Sequence, residues 1–152
     1  MGWVEQLEGH TVALDTAPLI SFIAREAPYA DLLRALFGAI ADGKIIAVTL
    51  TVTLVEVLVR PLRENNAELA MQYRDILTHS ANLTAFPLSD EIALRAAELR
   101  ARLNLRTPDA IQVATALVAG ADTFITNDKH LRVPNELKRI VVDDLLISVS
   151  ET

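Results

Sequence analysis

Four acidic residues stand where a carboxylate could take part in chemistry: Asp15, Glu56, Asp109 and Asp128. Asp15 directly follows the β-prone run Thr11–Leu14, and Asp128 comes shortly after a similar run at Thr123–Thr126. Asp109 falls in the first turn of a predicted helix that is almost wholly apolar. Carboxylates brought together repel one another and favour a hard divalent cation such as Mg²⁺ or Mn²⁺. Such a metal lowers the pKa of a bound water, which suits phosphodiester hydrolysis.

Three of these acids also have a purely structural interpretation. Asp15 and Asp109 could be a helix cap or a first-turn acid, which the helix dipole favours. Asp128 could be an ordinary turn residue, because Asn and Asp favour such positions. Taken singly, each of these positions is explained by local structure, so the case for chemistry depends on their combination.

Glu56 is the only charged residue between Lys44 and Arg60, in an apolar segment that we expect to be buried on most faces. An unpaired buried carboxylate is costly, so it would need a donor, a cation or a raised pKa. The pattern from Thr53 to Glu56 also matches a capping box, in which the glutamate bonds to the backbone at the start of a helix. For Glu56 alone, the sequence leaves both interpretations open.

Short apolar runs alternate with longer segments of helical periodicity. We predict strands at Thr11–Leu14, Ile45–Thr49, Leu83–Phe86, Thr123–Thr126 and Ile140–Val142. We predict helices over about Thr16–Ala27, Asp31–Asp42, Leu54–Val59, Glu64–Thr78, Ser89–Leu103 and Thr107–Gly120. The third of these helices is expected to end at Arg60, before Pro61, and Asp143 with Asp144 is interpreted as a turn.

Strands that alternate with helices form crossover units, which favour a parallel sheet covered on both faces. The sequence therefore predicts an α/β fold, a three-layer α/β/α sandwich with a mainly parallel sheet of about five strands. Ligands of such sheets bind beyond the carboxyl ends of the strands. Asp15 and Asp128 would then converge on one edge of the sheet, and Asp109 begins the helix that leads into the strand preceding Asp128.

The composition narrows the possible classes of function. The chain has 152 residues with 51% hydrophobic side chains, which fits a single domain over 1–152 with a possible N-terminal extension at 1–10. It has no cysteine, which excludes thiol catalysis and cysteine-ligated metals. Twenty acids against 14 bases give a net charge of −6, so no overall basic field attracts nucleic acid. Most of the bases are arginines, which suit local phosphate contacts.

Segments for membrane insertion or export are not evident in the sequence. Its longest mostly apolar stretch, Ile45–Val59, is shorter than the ~20 residues of a membrane span and contains Glu56. The N-terminus lacks the basic region and apolar core of a signal peptide. We therefore expect a cytoplasmic protein with no membrane partner. Phosphate-binding GxxxxGK[ST] and GxGxxG motifs are also absent from the sequence.

The order and spacing of four pieces resemble a known family. They are Leu14–Ile20, Glu56 in its apolar helix, Thr107–Ala116 and Phe124–Leu131. Together they span nearly the whole chain, and they resemble a PIN domain, most closely the toxin ribonucleases of VapC type that belong to toxin–antitoxin pairs.

The resemblance implies a PIN fold and a Mg²⁺- or Mn²⁺-dependent endoribonuclease. It carries four metal-binding acids over onto Asp15, Glu56, Asp109 and Asp128. Thr126 matches the family's hydroxyl residue near the last acid, with Asn127 beside it. The resemblance further implies an RNA substrate, a cognate antitoxin protein as partner, and a homodimer.

Two other classes of protein compete with the enzyme. The first is a catalytically silent module that keeps the PIN fold and binds RNA or a protein partner. A binding-only domain has no need of four converging carboxylates, so their presence favours the enzyme. The second is a signalling receiver domain, which needs an adjacent acidic pair after the first strand and a phosphoacceptor aspartate. Asp15 stands alone, and the second predicted strand ends in Thr49.

Overall fold

The computed structural model describes residues 2–150. Within this range the strands are β1 (Thr11–Leu14), β2 (Ile46–Leu50), β3 (Leu83–Phe86), β4 (Thr123–Thr126) and β5 (Lys138–Val141). The helices are α1 (Thr16–Ile23), α2 (Tyr29–Ala41), α3 (Val52–Arg63), α4 (Ala67–His79), α5 (Asp90–Leu103), α6 (Thr107–Val118) and α7 (Val142–Ser150), preceded by a short 3-10 helix at Glu5–Leu7.

The five strands described form one parallel sheet in the order β3-β2-β1-β4-β5. β1 lies at the centre, and Ala13 is in register with Val48 of β2 on one side and Phe124 of β4 on the other. Because β1 and β4 are neighbours and parallel, their carboxyl ends open onto the same edge. The predicted fold class is confirmed.

Two apolar cores lie on opposite faces of the sheet, as a three-layer fold requires. Successive side chains of β1 alternate between them: Val12 and Leu14 belong to the core beneath α1, α2 and α4, whereas Ala13 belongs to the core beneath α5 and α6. Both faces of the central strand are therefore buried, which explains why Thr11–Leu14 shows a continuous apolar run rather than alternation.

Several predicted boundaries are wrong. α3 continues past Arg60 to Arg63 with the buried Pro61 inside it. Pro61 has no N–H, so the carbonyl of Val57 loses its helical donor, but only one such bond is lost before the helix ends. α1 ends at Ile23, four residues before the predicted end, and Arg25 then adopts a positive φ of 57°.

The interpretation of Asp143 and Asp144 as a turn is also wrong. Both residues lie in the first turn of α7, which the sequence pattern did not reveal. Acidic residues in a first turn are stabilised by the helix dipole, so these two favour the start of a helix there.

The N-terminal extension packs onto the domain. Val4 and Leu7 are buried and join the first core. The backbone N–H of Gly9 donates to the carbonyl of Lys44 at 2.8 Å, and that of Ile46 donates to the carbonyl of His10 at 3.2 Å. The predicted domain range also includes Met1 and residues 151–152, which lie outside the described residues.

Among the helices of the described part of the chain, none combines the length and the apolar character needed to cross a membrane.

Candidate active site

Asp15 lies at the carboxyl end of the central strand, where β1 gives way to α1. It is the N-cap of α1: its Oδ1 accepts a hydrogen bond from the backbone N–H of Thr16 at 2.8 Å. Its Oδ2 accepts from the Thr126 hydroxyl at 2.7 Å. The structural interpretation of Asp15 as a helix cap is therefore correct, and it is compatible with a second role because the same carboxylate faces other acids.

The electrostatic environment of Asp15 disfavours its charged form. Burial raises its pKa, and the hydrogen bonds from Thr126 and Thr16 only partly oppose this effect. The nearby carboxylates of Asp109 and Asp128 raise the pKa further. Asp109 and Asp128 therefore both lie close enough to Asp15 to affect it electrostatically.

Thr126, the buried last residue of β4, connects Asp15 with Asp128. Its hydroxyl donates to Asp15 and accepts from the backbone N–H of Asp128 at 3.1 Å. Asp128 is exposed, and its Oδ1 accepts from the backbone N–H of His130 at 2.9 Å. The turn interpretation of Asp128 is thus also correct, and Thr126 fixes where that turn stands relative to Asp15.

Asn127 turns toward α7 instead of toward the acids. Its side-chain oxygen accepts from the backbone N–H of Asp143 at 2.9 Å. The Tyr29 hydroxyl donates to the Asp143 carboxylate at 2.7 Å, and this bond raises the pKa of Tyr29. Asn127 therefore joins the loop after β4 to the starts of α2 and α7.

Asp109 lies in the first turn of α6, as predicted, with 24% of its side chain exposed. Its Oδ2 accepts from Nε of Arg106 at 3.2 Å. Arg106 is 79% exposed, so this ion pair is strongly screened by water. Asp109 and Asp128 line the same surface groove.

For Glu56, the prediction of a buried position is wrong: its side chain is exposed. α3 buries one face through Thr53 and Val57 and presents the opposite face to solvent, so the apolar segment is not buried all round. The capping-box interpretation also fails, because α3 begins at Val52 and its N-cap, Thr51, makes no side-chain capping bond.

Glu56 nevertheless reaches the site through Thr16. The Thr16 hydroxyl donates to Oε1 of Glu56 at 3.1 Å, and the Thr16 backbone N–H donates to Asp15. One residue therefore contacts both carboxylates. The sequence argument did not single out Thr16, although its position directly after Asp15 was a usable signal.

A bridge of buried polar side chains, made of Thr49, Thr53 and Gln112, lies beneath the acids. The Gln112 amide donates to the Thr53 hydroxyl at 2.9 Å, and the Thr53 and Thr49 hydroxyls are 3.1 Å apart. Thr49 donates to the carbonyl of Leu14 at 3.0 Å. All three side chains are at most 5% exposed, so a low local dielectric strengthens these bonds.

This buried polar bridge links the elements that carry three of the acids. Leu14 precedes Asp15, Thr53 lies one helical turn before Glu56, and Gln112 lies one turn after Asp109. The bridge therefore fixes β1, α3 and α6 relative to one another. Sequence reasoning missed it; the signal was a glutamine inside an otherwise apolar helix.

The chemistry of the donors fits a hard divalent cation. All four candidate ligands are carboxylates, and a cation would relieve both the desolvation of Asp15 and its repulsion by Asp109 and Asp128. Within the described residues, however, no three His, Asp or Glu side chains lie close enough together to hold a metal ion. Ligation would therefore require these side chains to move closer together. Asp109 and Asp128 each have one carboxylate oxygen outside their bonds to Arg106 and the His130 N–H.

Comparison with known proteins establishes the family. The family model of the PIN domain matches residues 12–137, so the chain belongs to the PIN-domain family. This confirms the resemblance drawn from the four sequence pieces. No curated protein matches the sequence significantly.

Solved structures show the same fold at low sequence identity. VapBC2 from Rickettsia felis, solved bound to a DNA fragment from its promoter, matches with a TM-score of 0.64 and 20% identity over 86% of this chain and 98% of that chain. FitAB bound to IR36 DNA matches with a TM-score of 0.65 and 18% identity over 86% and 94% of the two chains. VapC20 from Mycobacterium tuberculosis, described as a toxin that cleaves the sarcin–ricin loop, matches with a TM-score of 0.57 and 17% identity over 74% and 86%.

Proposed function

We propose that the protein is a metal-dependent endoribonuclease and the toxin of a toxin–antitoxin pair. The observation that carries the proposal is the convergence of Asp109 and Asp128 on Asp15 at one edge of the sheet, where burial first and these two acids second raise the pKa of Asp15. The fold shared with toxin components such as VapC20 supports the choice of RNA as the substrate.

In this proposal Asp15, Glu56, Asp109 and Asp128 hold Mg²⁺ or Mn²⁺. The bound metal would activate water for attack on the phosphodiester and stabilise the leaving oxygen. Thr126 orients the Asp15 carboxylate and the turn that carries Asp128. Thr16 holds Glu56 next to Asp15.

The proposed partners are an antitoxin protein and a second copy of this chain. The antitoxin is supported by the fold, because several structural matches are toxin–antitoxin complexes. For the homodimer, α3 offers an apolar stripe in which Val55, Val59 and Leu62 are 65%, 43% and 61% exposed. A molar mass measurement by light scattering on the wild type and Val55→Glu would test the homodimer. A wild type that is monomeric at high concentration would exclude it.

The test of the enzyme is cleavage of a mixed RNA pool by purified protein with Mg²⁺, with Mn²⁺ and with EDTA. The expected result is cleavage that needs the metal and that Asp109→Asn loses while remaining folded. Equal cleavage by wild type and Asp109→Asn would show that the activity belongs to a contaminant or to another site.

The catalytically silent binding module is the second candidate. The observation that favours it is the lack, within the described residues, of three carboxylates already placed to hold an ion. It predicts that folded protein free of any partner binds RNA or an antitoxin but cleaves no RNA with either metal. Isothermal titration with Mn²⁺ separates the candidates further, since the enzyme predicts a site that Asp109→Asn weakens.

A further inference from the structure

The two flanks of the candidate active site differ in charge: on one flank arginines match the aspartates in number, whereas on the other glutamates outnumber the single arginine. On one flank, a groove of about 400 Å³ begins at Asp109 and Asp128 and runs between the loop joining α5 to α6 and the loop after β4. Its walls present the basic side chains of Arg106, His130 and Arg132. We call this surface, defined by those five residues, the basic groove.

Both walls of the basic groove are held from behind by arginines that bond to the backbone. Arg100 donates to the carbonyl of Leu105 at 3.0 Å. Arg139 donates to the carbonyls of Lys129 and Leu131 at 2.9 and 2.7 Å. Leu105 and Leu131 are themselves buried in the second core. The loops that carry Arg106 and Arg132 are therefore anchored, which lowers the entropic cost of binding a ligand there.

The opposite flank is acidic. Beside Glu56, a cavity of about 260 Å³ is also lined by Glu26, Glu64 and Arg60. The only base among these four residues, Arg60, is paired with Glu64 at 3.1 Å. We call this the glutamate cavity. A phosphate placed in it would meet three carboxylates and one guanidinium.

In the basic groove, Arg106 uses only its Nε on Asp109, at 3.2 Å, and Arg132 uses one terminal nitrogen on the carbonyl of Leu103, at 3.4 Å. The remaining N–H groups of both arginines can donate to phosphate.

We propose that the basic groove binds the backbone phosphates of an RNA strand on one side of the cleaved bond, while the other side of the strand passes the glutamate cavity without phosphate contacts. The proposal rests on the proposed nuclease function for its substrate. It assigns Arg132 and Arg106 as contacts to phosphates next to the reacting one. It also explains how a protein with a net charge of −6 can hold a polyanion.

Binding is measured apart from cleavage, by fluorescence anisotropy of a short single-stranded RNA in EDTA at several salt concentrations. Arg132→Gln should raise Kd several-fold and reduce the slope of log K against log salt by about 0.7, as expected for one lost phosphate contact on a single strand. Arg106→Gln should act in the same direction. Arg74→Gln is the matched control, because Arg74 is exposed on α4 and does not line the basic groove.

Equal weakening by Arg132→Gln and Arg74→Gln would overturn the proposal, because overall charge would then explain the binding. A wild-type protein that binds no RNA would also overturn the proposal. A polyglutamate peptide bound as tightly as the RNA, and lost in Arg132→Gln, would assign the groove to an acidic protein partner instead. If Arg132→Gln weakens RNA binding while the wild type cleaves nothing with either metal, the groove is supported and the nuclease proposal fails.

The one-sided arrangement is tested with RNA in which single phosphates are replaced by neutral methylphosphonates. Replacements on one side of the cleaved bond should weaken binding to the wild type, and this effect should disappear in Arg132→Gln. Equal effects on both sides would overturn the assignment of the groove to a single flank.

Discussion

Two aspartates at opposite ends of the same sheet each accept a hydrogen bond from a threonine hydroxyl but have neighbours of opposite charge. Asp122 lies at the amino end of β4, where its Oδ2 is 2.6 Å from Nδ1 of His10 and its Oδ1 accepts from the Thr123 hydroxyl at 3.0 Å. Asp15 lies at the carboxyl end of β1, where its neighbours are the carboxylates of Asp109 and Asp128.

The pKa values of the two groups move in opposite directions. Burial would raise the pKa of Asp122, but the hydrogen bonds from His10 and Thr123 outweigh it and hold that pKa below its ordinary value. At Asp15, burial and the neighbouring acids raise the pKa by more than the hydrogen bonds from Thr126 and Thr16 lower it. The amino edge therefore gains stability from its carboxylate, whereas at the carboxyl edge the charge of Asp15 is incompletely compensated. Such uncompensated charge is typical of functional sites.

The largest expected effect separates activity from stability at the two edges. Asp15→Asn should lower RNA cleavage by at least about 100-fold, because it removes a charged ligand from the proposed metal site. The same change should leave the melting temperature in EDTA unchanged or higher, since the amide carries no charge to bury. Asp122→Asn should do the reverse, with cleavage within about twofold of wild type and a lower melting temperature. Activity lost equally in both variants would remove the distinction between the edges.

The next effect concerns the buried polar bridge beneath the carboxyl edge. Gln112→Leu should lower kcat by up to about tenfold, with KM little changed, because it removes the bond to Thr53 that helps to fix α6 against α3 and so to position Asp109 and Glu56. The loss in stability should be small, because the Thr53 hydroxyl keeps its contact with Thr49.

Thr115→Val provides the matched control for Gln112→Leu. Thr115 is buried on the same helix, but its hydroxyl donates only to the carbonyl of Ile111 in that helix. This variant should keep the wild-type kcat. If both variants reduce kcat alike, general packing of α6 rather than the bridge positions the acids.

A smaller effect is the pH dependence of stability that arises from Asp15. Because its folded pKa lies above the ordinary value of 3.8, the folded protein binds the proton more tightly than the unfolded chain. The stabilisation is complete below that value and is lost as the pH rises through the folded pKa. In EDTA, the melting temperature of Asp15→Asn should therefore rise relative to that of the wild type as the pH increases from about 4 to 7. A difference that does not change with pH would contradict the raised pKa.

The smallest effect concerns the pair of His10 and Asp122, whose side chains are 49% and 50% exposed. Its coupling energy should be about 0.5 kcal/mol, as for other exposed pairs, or about 1–2 °C in melting temperature. Because the pKa of Asp122 is lowered, its contribution is present above the ordinary value of 3.8 and is lost as the pH falls through the folded pKa. A double-mutant cycle with His10→Gln and Asp122→Asn measures the coupling, and a value of zero would show that the contact contributes no stability.

The position of the candidate site could be predicted from the sequence because strand ends and helix starts are local features. Asp15 follows a strand, Asp109 opens a helix after Thr107-Pro108, and the parallel topology then places them at one edge. The exposure of Glu56 could not be predicted in this way. α3 has apolar residues on more than one face, but only one face packs against the rest of the domain. The other face is exposed to solvent, and it includes Val55 and Val59.

The sequence by itself determined the α/β class, the strands that carry the acids and the family to which the chain belongs. The fold class and the strands depend on periodicity and turn residues, which act between residues close together in the chain. The family depends on the order of the four pieces along the sequence. Tertiary structure alone decided the pairing of His10 with Asp122, the contact of Thr16 with Glu56, the bridge from Leu14 through Thr53 to Gln112, and the charge of each flank of the site. Each of these joins residues far apart in sequence, so it exists only once strand order and helix packing have brought them together.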